Sequence, residues 1–365
     1  MLTFAPTEEQ EEIRQLAQSV AVEQFRQEAR RSEKDGDISS VLAQVLAQTG
    51  LTTPFSEEYG GQGDIEAVPY ALIAEELSFG DSSLAMNALS SFIAPVTVAL
   101  AGSESQQRIW LTAFSNGETG HALRGSFAFA ERTGGYTLAD ITATARKDGD
   151  NYILNGTKRD VIHGGNAALR IGLFRLEGTN GLEGLCALIL PEYANGLRIS
   201  QDVQKLGLIA APSASYSFEN VVVPATALLG EPGNSNVQRV VALYEILRAS
   251  VACGMARASL EYARDYASGR IAFGRPIASY QGIAFMVAEM AMKLDAARLL
   301  VWNAAISWDH NTEIAVLIRD AEAAQKQALK IAKAATIDAM QVLGGAGYLQ
   351  DHPVEMWTRN AAAME

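Results

Sequence analysis

The hydrophobic period changes twice along this chain, and no other feature limits its possible folds as strongly. Apolar residues recur at helical spacing through the first part of the chain. They give way after Gly117 to short β-rich segments parted by turn signals, and return to helical spacing from Asn234 onward. Alternating strands and helices would build a parallel sheet with crossover helices, whereas sorted segments build separate layers. The expectation is an α+β protein with an N-terminal helical domain over 1–118, a middle β-domain over 119–232 and a C-terminal helical bundle over 233–365. At 365 residues and 48% hydrophobic, the chain is long enough for two or three packed layers or domains.

Local signals fill in the elements. Thr7-Glu8-Glu9-Gln10 has the form of a capping box and opens an amphipathic run through Ile13, Leu16, Ala17, Val20 and Phe25. A short helix is expected over 40–50, a turn at Glu58-Tyr59-Gly60-Gly61-Gln62-Gly63, and helix again over 65–77 and from Ser103. No residue between Asp81 and Glu104 is charged, a length that could span a bilayer. Asn87, Ser90, Ser91 and Pro95 interrupt it, so it reads as the buried helix of a globular domain. Strands are expected at 141–145, 152–154, 169–174, 186–190, 197–200 and 216–218, with Asp148-Gly149-Asp150 as a hairpin turn. Their spacing suggests a sheet pair or barrel. Three long helical segments, 237–268, 280–309 and 312–343, predict a bundle with its own core.

Composition removes several functions. A net charge of -13 argues against nucleic-acid binding. Two cysteines, Cys186 and Cys253, make neither a disulfide framework nor a metal cluster, and read as reduced, buried thiols of a cytoplasmic protein. The four histidines show no metal-ligand spacing. The N-terminus has no charged segment followed by an apolar run, so no signal peptide is expected.

Two C-terminal stretches carry candidate chemistry. Arg270-Ile271-Ala272-Phe273-Gly274-Arg275-Pro276-Ile277 and then Gln281 lie on a long helical stretch broken near Gly274-Pro276, where a fixed cation and an amide could hold a pyrophosphate and a polar ring. Gln341-Val342-Leu343-Gly344-Gly345-Ala346-Gly347-Tyr348 supplies a glycine-rich helix end that a ligand could approach closely. With Glu58-Tyr59-Gly60-Gly61, Asn155-Gly156-Thr157-Lys158 and Phe218-Glu219-Asn220-Val221 leading to Pro224, these segments resemble the acyl-CoA dehydrogenase family of flavoproteins over essentially the whole chain.

That resemblance implies a helical N-terminal domain, a middle β-barrel or sandwich domain and a C-terminal four-helix bundle. It implies FAD as cofactor at a subunit boundary and a homo-oligomer, dimer or tetramer. Arg270 and Gln281 would reach the FAD of the neighbouring subunit with Phe273 beside them, and Gln341, Gly344 and Gly345 would contact its dinucleotide half. The residues alone offer plainer accounts: solvated helix surface for Arg270 and Gln281, a helix cap for the glycines, bundle packing for Phe273. An active member would take the α-proton of an acyl-CoA or acyl-carrier thioester, pass the β-hydride to FAD, and hand the electrons to an electron-transfer flavoprotein.

The chain also departs from the family. Counting on from Arg359, the usual glutamate base falls three positions beyond Glu365, outside this sequence. An alternative base position falls on Tyr244, with Glu245 beside it as the candidate base or as a surface or salt-bridged glutamate. A Trp-Ile-Thr-like triplet that lines the flavin ring is replaced by Asp160, Val161 and Ile162. A Thr-Glu-Pro-Gly segment appears as Ala130-Glu131-Arg132-Thr133, the serine-aspartate pair after it as Tyr136-Thr137, and the arginine and serine that follow Lys205-Leu206-Gly207 as Ile209 and Ala211. The dinucleotide contacts are kept while ring and base are altered. An impaired subunit that pairs with an active homologue, or an oxygen-using flavoenzyme on the same fold, are the alternatives to a working dehydrogenase.

Overall fold

The structure, a computed structural model, describes residues 6–131, 138, 141–201 and 204–364. Thr7 caps α1 (Glu8–Val20) as expected, its hydroxyl accepting from Gln10 N while its own N–H donates to the Gln10 side chain. A π-helical stretch, Ala21–Phe25, carries the chain into α2 (Arg26–Asp35), and α3 (Ser40–Gln48) follows. Leu16, assigned to the apolar face by its spacing, is exposed, so the buried stripe of α1 is narrower than the apolar one.

Next come α4 (Ala67–Gly80), α5 (Ser82–Ala101) and α6 (Glu104–Phe114). Asp81 caps α5 by accepting from Leu84 N. By length and apolarity α5 could cross a membrane, yet 83% of its most apolar window is buried inside the protein. Pro95 has no N–H for Ser91 O, four residues back. The backbone of β1 (Gly125–Ala128) docks at that carbonyl, where a Cβ on Gly125 would lie 2.2 Å from Ser91 O. A side chain at this position would push β1 off the helix.

The middle segment forms one hydrogen-bonded sheet of β1, β2 (Thr144–Asp148), β3 (Asn151–Ile162), β4 (Leu169–Leu176), β5 (Leu185–Leu190), β6 (Leu197–Gln201) and β7 (Ser213–Pro224). Its order is β1-β4-β2-β3-β7-β6, with β5 also on β4. The 148–150 hairpin forms as expected. Two features depart from expectation: β4 pairs in parallel with β1 and β2, and β3 and β7 run 12 residues each. Register shifts between Leu154 and Gly156 and between Lys158 and Val161 put polar and positive-φ residues inside β3, which broke its sequence pattern.

Strand alternation divides two cores. Phe127, Leu169, Ile171, Leu173 and Leu185 face the helices. Ala128, Phe174, Cys186, Tyr216 and Phe218 face a separate core enclosed by the sheet.

The C-terminal helices are α7 (Ser235–Gly269), α8 (Gln281–Asp309), α9 (Ile314–Leu343) and α10 (Val354–Met364). The bundle does not have a core of its own, as its length had suggested: its apolar residues join those of α1, α4 and α5 in one cluster. Polar contacts join the same elements. Glu76 on α4 meets Arg257 on α7 and Arg14 on α1, and Glu75 meets Arg298 on α8.

The segment after α7 is not the broken helix expected. Arg270 ends α7, and a two-stranded hairpin, β8 (Ile271–Ala272) with β9 (Arg275–Pro276), precedes α8. Its loop, Phe273-Gly274, has φ of 51° and 83°, the pair of positive values that a tight two-residue turn demands.

Candidate active site

A cleft of about 430 Å³ opens between the sheet and the helices α7 and α10, a size suited to a small molecule. From the sheet side, Phe127 on β1 and Phe129 just beyond it form an apolar wall. The bulge in β3 turns Asp160, at φ 54°, and Ile162 into the cleft, while Val161 between them is buried in the sheet core. Ser213 on β7 stands opposite Ile162 and lines the same wall. Its buried hydroxyl has no hydrogen-bond partner among the described residues.

From the helix side, Tyr244 and Arg248 present one face of α7 to the cleft. The Tyr244 ring meets Phe127 edge-on at 6.1 Å, and the Arg248 guanidinium lies 6.0 Å from the Tyr244 ring. Arg248 donates to Met364 O at 2.7 Å, which fastens α7 to the end of α10. Asn360 holds α10 on its other side, accepting from Leu208 N and donating to Ser82 on α5. Arg359 pairs with Glu355 and Glu33 at the rim.

Behind the Phe129 segment lies a buried ion pair. Lys158 Nζ is 2.8 Å from Glu131 Oε1, and Glu131 also accepts from Thr142 and Ala143. Burial pushes the Lys158 ammonium down to about 8, against the opposing pull of Glu131. For Glu131 burial works against the charge, but Lys158 and the bonds from Thr142 and Ala143 outweigh it and lower the carboxyl. The pair explains why glutamate persists in a segment otherwise unlike the family's.

Glu245, the candidate base, does not reach the cleft. It is buried, and Tyr244 takes the lining position; one helical step turns a side chain by about 100°. Burial, with Glu322 adding to it and Arg248 opposing, pushes its carboxyl up to about 8. Arg270, Phe273, Gln281, Gln341, Gly344 and Gly345 are all exposed and none lines the cleft. Phe273 is 97% exposed at the hairpin tip, so it does not pack in this chain's bundle. Gly344 ends α9 at φ 59°, ψ -132°, a conformation only glycine adopts readily. Arg132, Thr133, Tyr136, Thr137 and Glu365 lie outside the described residues. Both cysteines are buried free thiols.

Ser213 and Arg248 were not singled out from sequence. Helical spacing from Tyr244 could have found Arg248. Alternation with buried Ala214, Tyr216 and Phe218 could have put Ser213 on the opposite face.

Comparison with known proteins agrees with this architecture. The family models for the acyl-CoA dehydrogenase N-terminal, middle and C-terminal domains match residues 7–118, 126–221 and 233–365. A probable acyl-CoA dehydrogenase of Bacillus subtilis, YngJ, is 32% identical over 100% of this chain and 95% of its own. Butyryl-CoA dehydrogenase from Megasphaera elsdenii superposes with a TM-score of 0.86 at 28% identity, over 100% of this chain and 95% of that one. A chain in a structure described as the electron transferring flavoprotein of Acidaminococcus fermentans matches with a TM-score of 0.86 at 30% identity, over 100% and 94%. The matched family is one of flavin-dependent oxidoreductases. The chain belongs to the acyl-CoA dehydrogenase family.

FAD is the cofactor of that family, and the residues here fit it. The aromatic wall of Phe127 and Phe129 suits a planar ring, and the unpartnered Ser213 hydroxyl offers that ring a hydrogen bond.

Proposed function

We propose that this protein is an FAD-dependent dehydrogenase that desaturates an acyl thioester between Cα and Cβ, forming a trans-2-enoyl thioester, with an electron-transfer flavoprotein as electron acceptor. The observation that carries this reading is the convergence of Asp160, Ile162 and Tyr244 on one cleft. The first two occupy positions that the resemblance gives to the flavin ring, and Tyr244 occupies one that it gives to a base. Bound FAD supplies the hydride-accepting chemistry. Of the rest, the described residues supply water exclusion, by Phe127, Phe129 and Ile162, and a hydrogen bond that fixes the ring, from the Ser213 hydroxyl; the α-proton would pass to a carboxylate, for which the described lining offers Asp160. Among the described residues lining the cleft, Asp160 is the one carboxylate.

Assembly belongs to the same proposal. On α8, Phe285, Met292, Leu299 and Ile306 recur every seventh residue and all are exposed, the spacing of a helix seam that another helix covers. A homo-oligomer closed along this stripe would bring Arg270 and Gln281, at the hairpin before α8 and the first turn of α8, to a neighbour's FAD.

The test is an absorption spectrum of the purified protein followed by anaerobic titration with butyryl-CoA. A flavin band that bleaches supports the proposal. Bound flavin that no thioester reduces would instead favour an impaired subunit paired with an active homologue. The placement of Glu245 away from the cleft favours that second reading.

A further inference from the structure

We propose that a second cavity, of about 230 Å³ at the start of α10, binds a small free carboxylic acid as its anion, with Arg26 and the Trp357 indole N–H as donors. It shares no lining residue with the cleft, so the site stands independently of the acyl-thioester reading. Arg26 comes from α2, Tyr262 from α7, and Met356 and Trp357 from α10, with Pro353 just ahead of that helix.

Trp357 is 2% exposed, and its indole nitrogen is a buried donor with no acceptor among the described residues. An unpaired buried N–H costs free energy that an incoming acceptor recovers. The ring itself is held in place. Tyr262 meets it edge-on at 5.8 Å, and the Tyr262 hydroxyl is engaged with His352 Nδ1 at 2.7 Å.

Arg26 supplies the charge. Its guanidinium lies 4.4 Å from the centre of the Phe79 ring, and Nη2 donates to Phe79 O at 2.7 Å. Burial lowers this guanidinium from its ordinary value; Glu261 pulls the other way from beyond ion-pair distance, and Arg257 adds to the lowering. The other lining arginine, Arg30, is already committed to Glu355, Glu33 and the carbonyls of Gln350 and His352. Asp351 is the one carboxylate among the described lining residues, and it is exposed to screening solvent.

The remaining wall is apolar, with Ala29, Pro353 and Met356 beside the two aromatic rings. A carboxylate there gains a charge-assisted bond from Arg26 and satisfies Trp357, while its hydrocarbon body meets the apolar wall. A neutral amide lacks the charge, and an inorganic anion lacks the body. The same helix carries Ala362, Ala363 and Met364 to the cleft, so an acid held here sits on an element of the active site.

The probe is sodium butyrate, with butyramide and inorganic phosphate as controls, read by magnetic resonance of holoprotein carrying isotope-labelled tryptophan. The chain has four tryptophans. Trp357→Phe keeps a ring and assigns the Trp357 indole signal; should it not fold, replacing Trp110, Trp302 and Trp308 in turn assigns it by exclusion. The expected result is a saturable downfield shift of that signal with butyrate. Butyramide and phosphate bind about tenfold more weakly or worse, and Arg26→Gln weakens butyrate about tenfold, the scale of a hydrogen bond to a charged group. A signal unmoved by butyrate up to about 0.1 M overturns the proposal, including the case in which butyrate enters only the cleft. An equal response to either control overturns it, and so does undiminished binding in Arg26→Gln. If Arg26→Gln does not fold, the comparison of butyrate with butyramide on the unaltered protein decides.

Discussion

Ser213 and Ile162 stand opposite each other on β7 and β3, and only the serine carries a hydroxyl. Ser213→Ala is expected to weaken FAD binding by roughly three- to tenfold, the worth of one neutral hydrogen bond. Fluorescence titration of the deflavinated protein measures it, and an unchanged affinity would detach Ser213 from the cofactor. Glu245 has the opposite status, a titratable group turned from the chemistry. Its carboxyl is raised from 4.5 to about 8 in the folded state, so its share of stability is full below about 4.5 and is lost as pH rises toward 8. Glu245→Gln removes that loss, and the stability difference between variant and parent should widen by a few kcal/mol from pH 5 to pH 8 in urea melts. The same variant should leave flavin reduction by substrate within about twofold, since removal of a positioned base costs about a hundredfold or more. A collapse of that rate would return Glu245 to the catalytic machinery. Adjacency in sequence had made Glu245 a candidate. The step of about 100° between Glu245 and Tyr244 follows from helix geometry alone, but which of the two meets the cleft depends on the neighbours of α7.

At the level of elements, the Lys158–Glu131 pair ties β3 to the segment that follows β1 and so sets the cleft wall at Phe129. Glu131→Gln strands a wholly buried ammonium and is expected to cost about 3–5 kcal/mol in chemical denaturation. Adding Lys158→Met should recover most of that loss. A double variant as unstable as the single one would mean that Glu131 acts mainly through Thr142 and Ala143. This pair was half legible in the chain. The Asn-Gly-Thr-Lys and Ala-Glu segments were both noticed, but nothing in their spacing showed that 27 residues of separation close to one ion pair. The reading of β3 failed for a related reason. A bulge inserts residues that break the alternation, so the strand expected over 152–154 stopped short although the ladder with β7 continues past Gly156 and Asp160. In the 270–280 segment, Phe273 and Gly274 make a hairpin turn because both adopt positive φ, which a phenylalanine rarely does and its sequence does not announce.

For the whole molecule, the exposed stripe on α8 predicts that the isolated chain is not the working unit. Met292→Glu with Leu299→Glu should shift light-scattering mass toward a smaller species and release FAD in parallel, because the same helix end carries Gln281. Retention of mass by this pair would place the interface elsewhere. The chain by itself determined the three-part order of helix, sheet and helix, the boundaries of its long helices, the cap at Thr7, the helix start at Ser103, and the family. All of these depend on periodicity and short motifs, which are local in sequence. Tertiary structure alone decided that the first and last helical segments share one core and that β1 docks on the carbonyl released by Pro95. It also decided that Ser213, Tyr244 and Arg248 face one cleft while Glu245 does not. Those outcomes depend on which face of each element meets which neighbour. A side chain's direction follows from its element, but the partner on that side comes from residues far away in the chain, and packing them together is what selects it.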